Sequence, residues 1–146
     1  MMDMPAPSLD DMLCFAVYSA NHAFNRVYKP MLDRLGLTYP QFLAMMCLWQ
    51  QDGQTVGQIG DRLFLESSTL TPLLKRLEAQ GLLTRRRDHT DERVVRLHLT
   101  PAGLAMRDSL PELQACILEA SGMTLEGMGD LTRQVAALRD HLRLPA

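Results

Sequence analysis

The stretch from Thr55 to Gly103 constrains the fold more than any other part of this chain. Thr55 can cap a short helix with Val56, Ile59, Leu63 and Phe64 on its inward face. A second helix starts at Ser67 or Ser68 and sets Leu70, Leu73, Leu74 and Leu77 at i, i+3, i+4 and i+7, and Gly81 follows where a C′ glycine belongs. Leu82 to Arg87 and Arg93 to Leu99 then form a hairpin around Asp88-His89-Thr90-Asp91-Glu92. Val95, Leu97 and Leu99 alternate there with Val94, Arg96 and His98, as in a strand with one packed face. Leu99-Thr100-Pro101 closes the hairpin. Short helix, second helix and basic hairpin, in that order, predict a mainly α fold with a small β-hairpin wing, a winged helix-turn-helix over residues 55–100.

Helices flank this region on both sides. Ser8 with Asp11 three residues on fits an N-cap, and Leu9, Met12, Leu13, Ala16, Val17 and Ala20 recur at helical intervals. Pro30 predicts an end near Lys29, because proline disfavours the helical conformation in the residue before it. A further helix reads from Pro40 through Phe42, Leu43, Met46, Cys47 and Trp49 to just before Asp52-Gly53. After Thr100-Pro101, one helix carries Leu104, Met106, Leu110, Leu113, Ile117 and Leu118, and another runs from Thr124 to about Arg143 through Leu125, Met128, Leu131, Val135, Leu138 and Leu142. A length of 146 residues favours a single domain. Regions 8–50 and 104–143 hold more apolar residues than a small winged domain can cover, so they are expected to form a homodimerisation domain and to carry two reading heads on a two-fold axis.

An apolar fraction of 47% excludes a largely disordered chain, and charged residues interrupt every apolar run well short of a membrane span. Residues 1–11 carry acidic groups and no basic segment of the kind that opens a signal peptide, so a cytoplasmic location is expected. The formal net charge of -2 argues against nucleic-acid binding only if charge is spread evenly. It is not: Lys75, Arg76, Arg85, Arg86, Arg87, Arg93 and Arg96 outnumber Glu78, Asp88, Asp91 and Glu92 between positions 75 and 96. Cys14, Cys47 and Cys116 show no metal-ligand spacing, and His22, His89, His98 and His141 are scattered, so neither a metal nor a cofactor is expected.

On the helix from Ser67, the short hydroxyls of Ser67, Ser68, Thr69 and Thr71, followed by Lys75 and Arg76, suit phosphate and base-edge contact, and Pro72 and Thr71 offer apolar surface to thymine methyls. Arg93 at the wing tip suits a narrow minor groove, with Asp91 orienting it. Arg85, Arg86 and Arg87 either meet phosphate or pair with Asp88 and Glu92. The expected partner is double-stranded, pseudo-palindromic operator DNA.

Asp91-Glu92-Arg93 followed by Leu97-His98-Leu99-Thr100-Pro101-Ala102-Gly103 resembles the wing signature of MarR-type transcription regulators. Four further segments are similar to the organic-hydroperoxide-sensing repressors of that family. They are Leu13-Cys14-Phe15-Ala16-Val17-Tyr18-Ser19, Tyr28-Lys29-Pro30, Leu37-Thr38-Tyr39-Pro40-Gln41, and the run from Thr69 to Glu78. The resemblance implies a homodimeric repressor, not an enzyme, that leaves its operator when an organic hydroperoxide oxidises Cys14. It also implies that Tyr28 and Tyr39 of the partner subunit hydrogen-bond the thiolate and that Tyr18 lines the same pocket. Helix geometry agrees with the cross-subunit part. On one continuous helix Cys14 and Tyr28 lie about 21 Å apart at 1.5 Å per residue.

An unperturbed thiol is only about 3% thiolate at pH 7. With Cys14 in the second helical turn and Asp10 and Asp11 at i-4 and i-3, activation is expected to come from tertiary hydrogen bonds in an apolar pocket of Phe15, Tyr18, Phe42 and Met46. Relatives that form an intersubunit disulfide carry a second cysteine where this chain reads Gly122-Met123-Thr124-Leu125. Here oxidised Cys14 is left either capped by a small thiol or trapped by Cys116. Phe42 also stands where relatives often have tyrosine. Competing readings are a MarR-type repressor released by a small aromatic or phenolic ligand, a thiol peroxidase, and a protein-interaction module that has kept the winged fold.

Overall fold

The computed structural model describes residues 4–145, which divide into two compact units, one through Leu110 and one from Pro111. The first contains a 3-10 turn at Leu9–Asp11, then α1 (Leu13–Leu35), α2 (Tyr39–Gln50), α3 (Val56–Leu63), α4 (Ser67–Ala79), β1 (Leu83–Arg87), β2 (Val95–Leu99), α5 (Pro101–Ala105) and a second 3-10 turn at Met106–Ser109. The second holds α6 (Leu110–Ser121), all but its first residue, and α7 (Leu125–Leu142). No helix among the described residues is long and apolar enough to cross a membrane.

α2 organises the first unit. Its start is set by a capping box, in which the Thr38 hydroxyl accepts from the Gln41 N–H and the Gln41 side chain accepts from the Thr38 N–H, with Pro40 in the first turn. Phe42, Ala44, Met45, Cys47, Leu48 and Trp49 are all buried, and the helix packs against α1, α3, α4 and β2. A helix apolar on nearly every side is a core helix. A single-face reading of the sequence places Leu43 and Met46 inward; both are half-buried, and Met45 and Leu48 take the centre. Ile59 from α3, Leu70, Leu74 and Leu77 from α4, and Leu97 from β2 complete that core.

α1 differs from expectation at both ends. It passes through Pro30 to Leu35 and stops at Gly36, whose left-handed φ of 72° lets the Gly36 and Leu37 N–H groups return to the carbonyls of Asp33 and Leu32. Interior proline costs about 3 kcal/mol, but each buried side chain among Met31, Leu32 and Leu37 contributes about 1.5–3 kcal/mol, so packing wins. At the other end the Ser8 hydroxyl accepts from the Asp10 N–H while its carbonyl accepts from that of Asp11, so Ser8 caps only the 3-10 turn. Met12 is extended, and α1 begins at Leu13.

Thr55 caps α3 through a second capping box with Gln58. Phe64, expected on its inward face, is instead exposed and ends the helix with a left-handed φ of 57°. The Leu65 N–H folds back to the Gly60 carbonyl at 3.0 Å, a turn that needs glycine there, because a Cβ on Gly60 would lie 2.8 Å from the Leu65 carbonyl oxygen. The helix expected after Thr100-Pro101 is likewise three pieces: α5, the 3-10 turn and α6. Pro111 has no N–H for the carbonyl four residues back, which breaks the α-helical ladder there.

The hairpin pairs antiparallel, with Leu83 opposite Leu99, Arg85 opposite Leu97, Arg86 opposite Arg96 and Arg87 opposite Val95. The far edge of β2 is covered, not open. The Gly53 N–H reaches the Leu97 carbonyl, the Leu97 N–H reaches the Gln54 carbonyl, and the Asp52 carboxylate accepts from the Leu99 N–H at 2.8 Å.

Candidate redox pocket and nucleic-acid interface

Cys14 is the second residue of α1 and is exposed. It therefore sits in the first turn, where peptide N–H groups lack intrahelical acceptors and an anion is favoured, and not in the second turn as expected from a helix starting after Ser8. Because Asp10 and Asp11 belong to the preceding 3-10 turn and Met12 is extended, the expected i-4 and i-3 helical relation to Cys14 does not exist. Tyr18, one turn on, is 63% exposed, and its ring meets that of His22 edge-to-face at 4.5 Å. Phe15 is half-buried.

Tyr28 and Tyr39 come together from α1 and α2, ring centroids 5.1 Å apart. Phe42 stacks at 5.7 Å from Tyr28 and continues the aromatic chain to Trp49 at 6.2 Å. The Trp49 indole N–H is satisfied by the Gly103 carbonyl at 2.8 Å. Burial pushes the Tyr28 phenol above its ordinary range, with Tyr39 adding to the shift, and burial does the same to Tyr39. Both therefore stay neutral O–H donors at neutral pH. α1 is unbroken between positions 14 and 28, so this pair stands about 21 Å along the helix from Cys14 of the same chain.

Cys47 is buried in α2, and burial raises its thiol's pKa against the smaller opposing effects of Arg62 and a backbone hydrogen bond, as befits a core residue. Cys116 is half-buried in α6, within the second unit.

The polar face of α4 is assembled as expected. Ser67, Ser68, Thr69, Pro72, Lys75 and Arg76 are exposed and Thr71 is half-buried. Glu66 occupies the N-cap position, so neither serine serves as the cap. At the wing tip the Arg93 side chain is 92% exposed, and Asp91 accepts from both its backbone N–H and its Nε. Arg86 and Arg87 are exposed, but Arg87 donates to the Glu92 backbone carbonyl, not to its carboxylate. Arg85 lies on the Leu97 face of the hairpin with its Nε buried and unpartnered, while its backbone N–H is held by the Glu78 carboxylate at 2.8 Å.

The expected pairing of Asp88 with the β1 arginines is replaced by a bond to Arg96 at 3.2 Å. Arg96 also donates to the Gly53 carbonyl at 3.0 Å. Arg86 and Arg96 are directly opposed across the hairpin, an arrangement that is destabilising without a counter-charge, and Asp88 supplies it. The Thr90 backbone N–H, then Arg96, hold the Asp88 carboxyl below the usual range. The spacing of Arg96 on β2 is the sequence signal for this bracket, but only the register shows which acid it meets.

A model of the MarR family matches residues 37–95. The chain is 48% identical over 139 residues to the HTH-type transcriptional regulator TtmR of Methylorubrum extorquens, covering 95% of this chain and 71% of the relative. It is 40% identical over 134 residues to the organic hydroperoxide resistance transcriptional regulator of Bacillus subtilis, covering 92% and 91%. Among solved structures, AbfR of Staphylococcus epidermidis superposes with a TM-score of 0.78 at 33% identity over 92% of each chain. AbfR has also been solved reduced on DNA and overoxidised on DNA, at TM-scores of 0.73 and 0.72, and in a disulfide form at 0.68. The matched segment runs from α2 through α4 and β1 to the first residue of β2, and the two regulators align with nearly the whole chain: it belongs to the MarR family of transcriptional regulators.

Proposed function

We propose that this protein is a homodimeric repressor that binds operator DNA and releases it when an organic hydroperoxide oxidises Cys14. The observation that carries the reading is the Tyr28–Tyr39 pair. Two neutral phenol donors are packed together at 5.1 Å beside Phe42, about 21 Å along α1 from the thiol of their own chain. They fit a thiolate delivered by the partner subunit. The exposed face of α1, with Leu13 at 61% and Val17 at 41%, supports burial of this helix against a second copy. The Bacillus subtilis relative's name and the reduced, overoxidised and disulfide forms of AbfR support a redox-responsive member.

In the sensing step the Cys14 thiolate attacks the terminal peroxide oxygen, an S–O bond forms, and the O–O bond breaks. The leaving alkoxide takes a proton and departs as the alcohol, while sulfur is oxidised by two electrons to the sulfenic acid. Helix N-terminal amides and the partner's two phenols stabilise the attacking anion. Phe15 and Tyr18 flank Cys14 on α1, whereas Phe42 lies with the tyrosine pair about 21 Å along the helix and Met46 follows one turn later on α2, so the apolar pocket that favours a hydrophobic peroxide over hydrogen peroxide takes the first two from one subunit and the second two from its partner. The sulfenic acid then condenses with a small thiol or with Cys116: an S–S bond forms, the S–O bond breaks, and the hydroxyl leaves as water with the thiol's proton.

On DNA, the exposed hydroxyl and cationic face of α4 enters the major groove and Arg93, oriented by Asp91, reaches the minor groove, with Lys75, Arg76, Arg86 and Arg87 on phosphate. Arg85, opposite Leu97 on the hairpin, contributes its stem to the wing's packed face. A second reading, release by a phenolic ligand, is favoured by the aromatic cluster itself, which would stack an aromatic ring. Operator binding by fluorescence anisotropy, with genomic fragments selected by the protein, separates the two. Cumene hydroperoxide is expected to release the wild type and leave Cys14→Ser bound. Release of both, or of neither, overturns the redox reading.

A further inference from the structure

The corner between α1 and α2 carries Tyr39 and is tied to the recognition helix. Gly36, in the left-handed conformation at the end of α1, is followed by Leu37, which is 5% exposed, and by Thr38, which caps α2. Tyr39 is the next residue. Two capping motifs back to back leave this corner little freedom, because the Leu37 N–H is bound to the Leu32 carbonyl and the Thr38 N–H to the Gln41 side chain. A displacement of Tyr39 is therefore passed to Gly36 and not absorbed between them.

The Gly36 carbonyl accepts a hydrogen bond from Gln80 Nε2 at 2.7 Å. Gln80 is the C-cap of α4, and the next residues are Gly81, with φ 77°, and Leu82, whose N–H returns to the Leu77 carbonyl. Thr100 Oγ1 donates to the Gly81 carbonyl at 2.6 Å, and β1 begins at Leu83. One side chain thus joins the tyrosine-bearing corner to the point where the recognition helix passes into the wing. Among the described residues, no other side-chain hydrogen bond runs from α4 to this corner.

The geometry points to Gln80 as the coupling residue that transmits the state of the Tyr28–Tyr39 pocket to α4 and the wing. This inference rests on the sensing function proposed above. Gln80 touches neither thiol nor peroxide; it is a positioning residue whose amide makes the recognition helix follow the corner. Coupling of this kind is a difference in affinity between two states, so removing the link lowers the response without lowering both affinities alike.

The test measures operator affinity of the full chain before and after cumene hydroperoxide, for the wild type, Gln80→Ala and the near-isosteric Gln80→Glu, which lacks the N–H donor. It also follows the rate of Cys14 thiol loss in each. The expected result is wild-type affinity when reduced, a wild-type rate of thiol loss, and a release ratio reduced about fivefold in both variants, the scale of one hydrogen bond. An undiminished release ratio in either variant, or a slowed thiol loss, overturns the coupling role while the sensing function stands. A wild type that does not release removes the sensing function and the coupling with it.

Discussion

Tyr28 and Tyr39 are held neutral by burial, and each makes a prediction at the level of single atoms. Their pKa values lie above the ordinary 10.0 in the folded protein. The unfolded chain loses these protons first as pH rises, so the contribution of the pair to stability is complete below about pH 10 and is lost as pH climbs through the folded values. Urea midpoints measured across the alkaline range should fall more steeply for the wild type than for a Tyr28→Phe, Tyr39→Phe double variant. Under the proposed function, removing one phenol donor from the thiolate costs about 1.5–3 kcal/mol at neutral pH, so Tyr28→Phe and Tyr39→Phe should each slow Cys14 oxidation by about tenfold or more. Stopped-flow thiol loss with cumene hydroperoxide checks this; unchanged rates would show that the phenols do not serve the thiol. Cys14, Tyr28 and Tyr39 were singled out as candidates because short segments around them resemble a family pattern, and the contact between the two tyrosine rings is what the structure adds. The position of Cys14 in the first turn was not, because the sequence does not show that Met12 is extended and restarts the helix.

At the scale of elements, junctions carry the tightest constraints. A Cβ on Gly103 would lie 2.0 Å from the Leu82 carbonyl oxygen, and the Gly103 carbonyl also holds the Trp49 indole. Gly103→Ala should therefore destabilise by about 2–4 kcal/mol, read from the denaturant midpoint, because backbone at the wing root must move. The α4 helix was readable from its period of about 3.6 residues and β2 from alternation, with β1 following as its hairpin partner. The extension of α1 through Pro30 was not, since it depends on how deeply Met31, Leu32 and Leu37 are buried, nor was the outward turn of Phe64, which comes with the Leu65 N–H folding back to the Gly60 carbonyl. The Asp88–Arg96 bracket was hidden for a related reason: strand register decides which acid meets Arg96.

At the scale of the whole molecule, the bracket changes how much charge the protein can bring to DNA. Formal charge alone counts Arg96 with the other cations of the wing, but its guanidinium already serves the Gly53 carbonyl and Asp88 and is only 40% exposed. Arg86 and Arg93, by contrast, stand exposed on the same hairpin. Each phosphate deprived of its cationic partner changes the slope of log affinity against log salt by about 0.9. Arg86→Gln should flatten the slope by roughly that amount for each subunit of a dimer. Arg96→Gln should lower affinity at every salt concentration, because the wing is no longer fixed to the turn at Gly53, while leaving the slope as it is in the wild type. Equal flattening by both substitutions would make Arg96 a phosphate ligand and the bracket incidental. If the proposed dimer presents two reading heads together, Val17→Glu, placed on the exposed apolar face of α1, should yield monomers in sedimentation velocity and reduce the slope of the intact protein toward that of a single head.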